Sequence, residues 1–458
     1  MGNIQDAVAA LTNRFGPQVS TAKAVRDHHG QNETYFAAMP PDAVFFPETT
    51  EDVSEAVRIC ADHQCPIVPW GVGTSLEGHA LPVRGGLTMS FDRMARVLEI
   101  YEQDLSVRIE PGVTREALNQ ELRSTGLFFP IDPGANATLG GMAATRASGT
   151  TAVRYGTLKD NVLALTVVLA DGRVIKTGTR ARKSSAGYDL TALMIGSEGT
   201  LGIITELTLK LHGQPEAIGA AICAFPTVDA AVNTTIQAVQ MGVPVARMEL
   251  LDALSIRCIN AYSNTNYPEE PHLFMEFHGT DASVTEQSNT LQEISSENGG
   301  GGFKWTANTE ERSTLWAARH NAYWAIKAMW PDRKGMSTDV CVPISELSTA
   351  IEEAARDVQK HNLPGPIVGH VGDGNYHVLL LSDPNVKEEL QTAKDIAARM
   401  AERALALGGT VTGEHGIGMG KMALLEREHG PGVSVMADIK RALDPQNILN
   451  PGKIVQMN

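Results

Sequence analysis

One short apolar run, Pro66-Ile-Val-Pro-Trp70, opens directly into the glycine-punctuated loop Gly71-Val-Gly-Thr-Ser-Leu-Glu-Gly78, and this junction constrains the chain more than any other feature. A strand that empties into a loop poor in Cβ atoms lets backbone N–H groups approach a pyrophosphate closely and bind it as a nest. Spacing narrows the choice of fold. After Gly71 and Gly73 the next glycine stands at 78 rather than 76, so the dinucleotide pattern G-x-G-x-x-G fails. Gly420-Lys421 runs into Met422 with no glycine at 415, so a phosphate-transfer P-loop fails as well. Two further small-residue stretches, 134–149 and 196–202, lie in the same half of the chain. Three such loops together read as one cofactor cradle rather than three ordinary turns.

At 458 residues the chain exceeds what one hydrophobic core usually supports, and its 43% apolar residues suffice for two or three. A net charge of -15 argues against a nucleic-acid partner, which demands a basic face to replace phosphate counterions. It also means that any anionic ligand must be met by a locally focused positive group, a buried Arg or a metal. No apolar run approaches the length of a transmembrane span, and the N-terminus lacks the order of a secretion signal. The five cysteines are scattered without a CxxC pair, as expected of buried, reduced thiols. These features predict a soluble, cytoplasmic protein, with peripheral membrane association left open.

The pattern is α+β. Residues 1–40 form an N-terminal helical segment. Helix-like Glu51 to His63, strands at Gly86 to Ser90, Val97 to Tyr101 and Leu105 to Glu110, and a hairpin about Asp171-Gly172 place a first domain at 41–215. From Ala217 strands and helices of a second α+β domain follow over 216–425, with Gly299 to Gly302 as a mobile turn. A terminal segment spans 426–458, its last helix stopping at Asp444-Pro445.

The sharpest chemical signal is Gly369-His-Val-Gly-Asp-Gly-Asn-Tyr-His-Val378, two strand-like runs about a Gly-Asp-Gly-Asn turn. Pairing Val371 with Tyr376 puts His370 opposite His377 on one face, with Cβ atoms about 5 Å apart, a spacing that suits one divalent ion. A lone histidine is more often packed than ligating; a cross-hairpin pair favours the ligand reading. Glu414, in Thr412-Gly-Glu-His-Gly416, either completes a His-His-Glu set with open positions or caps the helix after Lys421, and His415 stands beside it as a possible base. Arg319 is suited to clamping a carboxylate through two parallel bonds, although by itself it reads as a solvated helix position near Glu310 and Glu311.

These segments, with Pro133-Gly-Ala-Asn-Ala-Thr-Leu-Gly-Gly141, Ala147-Ser-Gly149, Arg154-Tyr-Gly156, Gly196-Ser-Glu-Gly-Thr-Leu-Gly202 and Asn450-Pro-Gly-Lys453, resemble the FAD-linked oxidases of the vanillyl-alcohol oxidase type. Within that type the chain is similar to the D-lactate dehydrogenase, D-2-hydroxyglutarate dehydrogenase and glycolate oxidase large-subunit branch. Lys334-Gly-Met-Ser-Thr-Asp-Val-Cys-Val-Pro-Ile-Ser345 resembles the mitochondrial-type D-lactate dehydrogenases most. The resemblance implies an FAD-binding domain of two α/β subdomains, a substrate-binding cap domain with an antiparallel sheet, and a C-terminal segment returning to the flavin. It implies that Pro69, Gly71, Gly73, Thr74, Ser75, Leu76 and Gly78 hold the pyrophosphate. Pro133, Gly134, Gly140, Ala143, Ser148 and Gly149 would line the cofactor, followed by Tyr155, Gly156, Glu198, Gly202, Ile203 and Asn450. His370, His377 and Glu414 would bind zinc or manganese, His415 would be the base and Arg319 the carboxylate clamp.

The implied activity is oxidation of a D-2-hydroxy acid to the 2-oxo acid, with D-2-hydroxyglutarate and glycolate as alternatives to D-lactate and an idle metal-binding scaffold as a remote one. Relatives specific for 2-hydroxyglutarate look to carry an Asn where this chain has Leu379 and a Lys where it has Ser337, so a second substrate carboxylate would go unpaired here. His79 follows Leu-Glu-Gly instead of the Arg-Ser-Gly-Gly context of covalent attachment, which implies noncovalent FAD. A cytochrome, a quinone or an electron-transfer flavoprotein is the expected acceptor, and a homodimer the possible assembly.

Overall fold

The computed structural model describes residues 3–457, which divide into two compact units. The first runs through Ser148, resumes over Gly156–Gln214 and again from Glu414 onward. Its first sheet has the spatial order Val19–Ser20, Ala43–Phe45, Leu87–Ser90, Ile67–Trp70, and the last three strands are parallel. Parallel strands need covering, and these are buried nearly throughout. The cover includes the helix Thr50–Asp62, which Thr49 starts by accepting a hydrogen bond from Asp52 N at 3.1 Å. Its buried Val53, Ala56, Val57 and Cys60 follow the helical period and join the core of Phe45, Ile67, Leu87 and Met89.

The unit's second sheet is antiparallel, ordered Val97–Tyr101, Ser106–Ile109, Ile203–Lys210, Val162–Val168, Val174–Lys176. The Asp171-Gly172 hairpin forms as expected, with Gly172 at φ +80°. The chain's end returns to the first sheet. Leu449 bridges Ile67 in parallel, and Asn450 N donates to Ile67 O at 2.7 Å, beside the strand that feeds the glycine loop.

The second unit comprises Gly149–Tyr155 and Pro215–Gly413, and its frame is an eight-stranded sheet whose pairs are all antiparallel. The order is Gly301–Thr306, Ala217–Ala224, His272–Gly279, Val245–Leu251, Ile367–His370, Asn375–Ser382, Lys334–Ser337, with Val340–Cys341 also on Asn375–Ser382. Side chains alternate between the faces. Ile222, Leu251, Phe274, Leu379 and Leu381 pack with Ala253–Ser263, Thr309–His320 and Ala322–Met329. Tyr376, of opposite parity, instead donates to Ala350 O of the helix Leu347–His361 on the other face.

Two local expectations are corrected. Gly301 and Gly302 are not a free turn but the start of the edge strand Gly301–Thr306, where missing side chains are tolerated beside a register shift between Ile222 and Ala224. In the histidine hairpin the turn sits one residue earlier than expected, because Val371–Asp373 forms a 3-10 turn closed by Gly374 at φ +78°. His370 therefore pairs with Asn375 and His377 with Val368. The slip is by two residues, an even number, so both histidines stay on one face.

Candidate functional site

The first unit builds the cradle. The strand Ile67–Trp70 fixes Pro69 and leads into Gly71, Gly73, Thr74, Ser75, Leu76 and Gly78. A Cβ on Gly71 would fall 2.3 Å from Thr138 Oγ1, and one on Gly140 would fall 2.4 Å from Pro111 Cβ. Only glycine permits this apposition of the loop with the segment that Pro133 and Gly134 lead into. The remaining predicted positions join them through backbone bonds: Gly196 N to Ala143 O at 2.9 Å and Glu198 N to Ala144 O at 2.8 Å. Gly202 and Ile203 enter the strand Ile203–Lys210 immediately after. Ser148 and Gly156 bracket the excursion Gly149–Tyr155, so Gly149 and Tyr155 belong to the second unit.

Asn450, 2% exposed, locks the chain's end to this cradle by donating from Nδ2 to His79 O at 2.9 Å and to Glu198 O at 2.7 Å. Its Oδ1 and His79 Nδ1 are buried and find no hydrogen-bond partner among the described residues. Orphaned buried polar atoms beside a Cβ-free cradle are what a polar ring cofactor would satisfy. The Glu198 carboxylate accepts from Ile417 N and Gly418 N at 2.8 Å each, with His79 Nε2 3.2 Å away. One carboxylate thus pins the loop that carries Glu414 and His415. Lys453 is buried here too, donating from Nζ to Leu81 O at 2.8 Å, and burial pulls its ammonium down to about 8. Lys421, the N-cap of the helix Met422–His429, makes no side-chain capping bond.

The second unit holds the histidine pair. The rings of His370 and His377 lie 5.3 Å apart at 78°, with a ring nitrogen of each within 4.8 Å of the other. The tautomers are set by what Nδ1 meets. His377 Nδ1 lies 2.9 Å from Thr338 O, which only accepts, so Nδ1 carries the proton and Nε2 the lone pair. His370 Nδ1 lies 2.7 and 3.0 Å from the two oxygens of Glu249. Burial alone would raise the Glu249 carboxyl, but His370 and Arg319 outweigh it and hold it below the usual carboxylate range. An ionised Glu249 only accepts, so His370 likewise presents Nε2. Two Nε2 donors on one rigid sheet face fit zinc or manganese. Asp339 adds a carboxylate beside His377, hydrogen-bonded by Asn375 Nδ2 at 2.8 Å and Thr412 Oγ1 at 2.6 Å. Gly413 lies so close that a Cβ there would sit 2.3 Å from Asn375 Nδ2. Glu414 is the next residue, one Cα step of about 3.8 Å further along the chain.

Arg319 is not on a solvated face. It is 9% exposed, near the end of the helix Thr309–His320, and its Nη2 donates to Glu249 Oε2 at 2.5 Å. Its Nε has no hydrogen-bond partner among the described residues, so an edge of the fork remains for another acceptor. A second polar chain uses the same sheet. Tyr155 Oη is 2.7 Å from His278 Nδ1, and His278 Nε2 is 2.9 Å from Glu276 Oε1, which Arg247 Nε approaches at 3.4 Å.

Sequence reading missed Glu249, Asp339, Thr338 and Asn375. A signal existed for the first: Arg247 and Glu249 alternate within the apolar strand Val245–Leu251, and two like-facing charges in such a strand call for buried partners.

Residues 41–178 match the family model described as "FAD binding domain" and residues 214–454 the one described as "FAD linked oxidases, C-terminal domain". The chain is 51% identical to "Probable D-lactate dehydrogenase, mitochondrial" of Danio rerio over 99% of its own length and 92% of that protein's. It is 43% identical to "D-lactate dehydrogenase [cytochrome], mitochondrial" of Arabidopsis thaliana over 98% and 80%. A solved 4-ethylphenol oxidase from Gulosibacter chungangensis, in its isoeugenol complex, shares the fold with a TM-score of 0.81 at 18% identity, over 98% and 97%. The relatives' names overturn the cytoplasmic expectation. That expectation rested on the lack of an apolar export signal, and such a test is blind to amphipathic organelle addresses. No helix among the described residues is long and apolar enough to cross a membrane.

Proposed function

The chain belongs to the FAD-linked oxidases of the vanillyl-alcohol oxidase type, and from that premise we propose that it oxidises a short D-2-hydroxy acid, D-lactate or a close monocarboxylate, to the 2-oxo acid with one divalent ion. The observation that carries the proposal is the sheet face on which His370 and His377 present Nε2 while Glu249 ties the same face to Arg319. Glu414, one residue beyond Gly413, is the carboxylate that completes the ligand set, in keeping with the position of Gly413 against Asn375 and Asp339.

When bound, FAD supplies a hydride acceptor and the divalent ion a Lewis acid that acidifies an alcohol. Arg319 binds the substrate carboxylate through its remaining N–H edge and orients C2. His415 takes the proton from the C2 hydroxyl oxygen as the hydrogen on C2 leaves with its electron pair. Pro69, the 71–78 loop, the 133–149 and 196–203 segments and Asn450 hold the flavin noncovalently.

Substrate size is read from the strand that carries His377 and its neighbour. Leu379 and Ser337, the two positions that depart from the 2-hydroxyglutarate pattern, are cross-strand partners. Leu379 belongs to the apolar cluster of Leu381, Phe274 and Trp316. A distal carboxylate would be desolvated there without a partner, whereas a methyl group fits. The relatives named for a cytochrome make a cytochrome the proposed acceptor, ahead of a quinone or an electron-transfer flavoprotein.

The test is anaerobic bleaching of the bound flavin by D-lactate, L-lactate, glycolate and D-2-hydroxyglutarate, before and after chelation. D-lactate should reduce it fastest and chelation should abolish the reaction; preference for D-2-hydroxyglutarate, or indifference to chelation, would refute the substrate or the metal.

A further inference from the structure

We infer that Glu249 is a shared positioning residue that holds the carboxylate clamp Arg319 and the metal ligand His370 as one unit, so that ion binding and substrate binding depend on the same buried carboxylate. The inference rests on the function proposed above and deepens it.

Glu249 is 0% exposed in the middle of the strand Val245–Leu251. Its backbone is paired with His370 on one side and with Phe274 on the other, so its side chain cannot shift along the sheet without breaking two ladders. Oε2 accepts from Arg319 Nη2 at 2.5 Å and lies 3.0 Å from His370 Nδ1, while Oε1 lies 2.7 Å from the same nitrogen. No water is needed to complete this set: two donors, from residues 70 and 121 positions away in sequence, converge on one carboxylate. The two dependents act on different targets. His370 turns Nε2 toward a cation, and a hydrogen-bonded carboxylate behind a ligating imidazole fixes its ring and raises its basicity. Arg319 turns its other edge toward an anion. His377 Nδ1 instead lies 2.9 Å from the backbone carbonyl of Thr338, with Asp339 Oδ1 at 3.8 Å.

The decisive variant is Glu249→Gln. A carboxamide keeps the shape but puts an N–H against either His370 Nδ1–H or Arg319 Nη2–H, whichever way it turns, and removes the charge that strengthens both bonds. On FAD-loaded, chelator-stripped protein, equilibrium dialysis should show zinc affinity lowered about 10- to 100-fold, the range for loss of a carboxylate behind a ligating histidine. At saturating zinc, the KM for D-lactate should still rise about 10-fold or more, with FAD content unchanged. A merely structural role would move neither quantity once the holoenzyme had formed. Ion affinity or KM within about twofold of wild type would overturn the shared role. If Glu249→Gln does not accumulate as holoenzyme, Glu249→Asp, which keeps the charge but withdraws it by one carbon, must show both losses together; one without the other refutes the inference. Failure of the underlying function looks different: wild-type holoenzyme would bind no zinc, or its flavin would not be reduced by D-lactate.

Discussion

Replacing Arg319 with Met separates what this residue does for the fold from what it does for the substrate. Met keeps an unbranched apolar stem and removes five N–H donors. In the fold, Glu249 loses its 2.5 Å partner while remaining fully buried. Breaking a buried ion pair from one side costs about 3–5 kcal/mol. His370 still donates to Glu249, so about 3 kcal/mol is expected, read as a lower denaturant midpoint of the FAD-loaded protein. For the substrate, two charge-assisted bonds to a carboxylate are lost, each worth about 1.5–3 kcal/mol. A combined loss of about 3–6 kcal/mol corresponds to a fall in kcat/KM of roughly 10²- to 10⁴-fold. The assay is anaerobic stopped-flow reduction of the flavin across a range of D-lactate concentrations. A kcat/KM within about threefold of wild type, at reduced stability, would show that Arg319 serves only as a counter-ion for Glu249. Unchanged stability would refute the energetics assigned to the buried pair.

Two further outcomes are expected. His415→Ala should retain FAD, because the loop is held by the backbone N–H groups of Ile417 and Gly418 on Glu198, and flavin reduction by D-lactate should slow about 10²- to 10⁴-fold; wild-type rates would discard the base. Lys453, 2% exposed, has its ammonium pulled from 10.5 to about 8 by burial, so between those values the unfolded chain carries the proton and the folded one does not. Stability from this group is therefore present above pH about 10.5 and lost as pH falls through about 8, an effect of about 3 kcal/mol. The difference in unfolding free energy between wild type and Lys453→Met should shift by that order between pH 7.5 and 10.5, and a constant difference would refute the charge argument.

How much of this was legible depends on the range over which each feature is decided. The Asp171-Gly172 hairpin and the helix Gly432–Leu443, which ends at Asp444-Pro445, could be read because turn and stop chemistry is local. The histidine hairpin was legible in its face but not its register: Val371–Asp373 closes a 3-10 turn, and no local rule chose that over the turn Gly372–Asn375. Parity survived because the slip was even. The glycines at 301 and 302 were misread because Gly-rich sequence has the same appearance in a turn and at a sheet edge, and only the pairing with Ala217–Ala224 decides.

The site divides along the same line. Candidate residues on glycine loops and tight turns announce themselves by spacing, and His370, His377, Glu414 and His415 were singled out that way. Glu249 shows in the sequence only as a charge in an apolar strand, and its partners appear only once segments 121 residues apart are side by side. That hidden residue also resolves the electrostatic problem of a chain with net charge -15 that must receive an anion. An unpaired buried guanidinium would be too costly to fold, and one fully paired in a fork would have nothing to offer a substrate. Glu249 takes Nη2 and leaves Nε, so Arg319 is neutralised enough to be buried and still has a donor edge for a carboxylate. On the reading proposed here, the positive focus that the acidic sequence demands is made by sharing one carboxylate rather than by adding another cation.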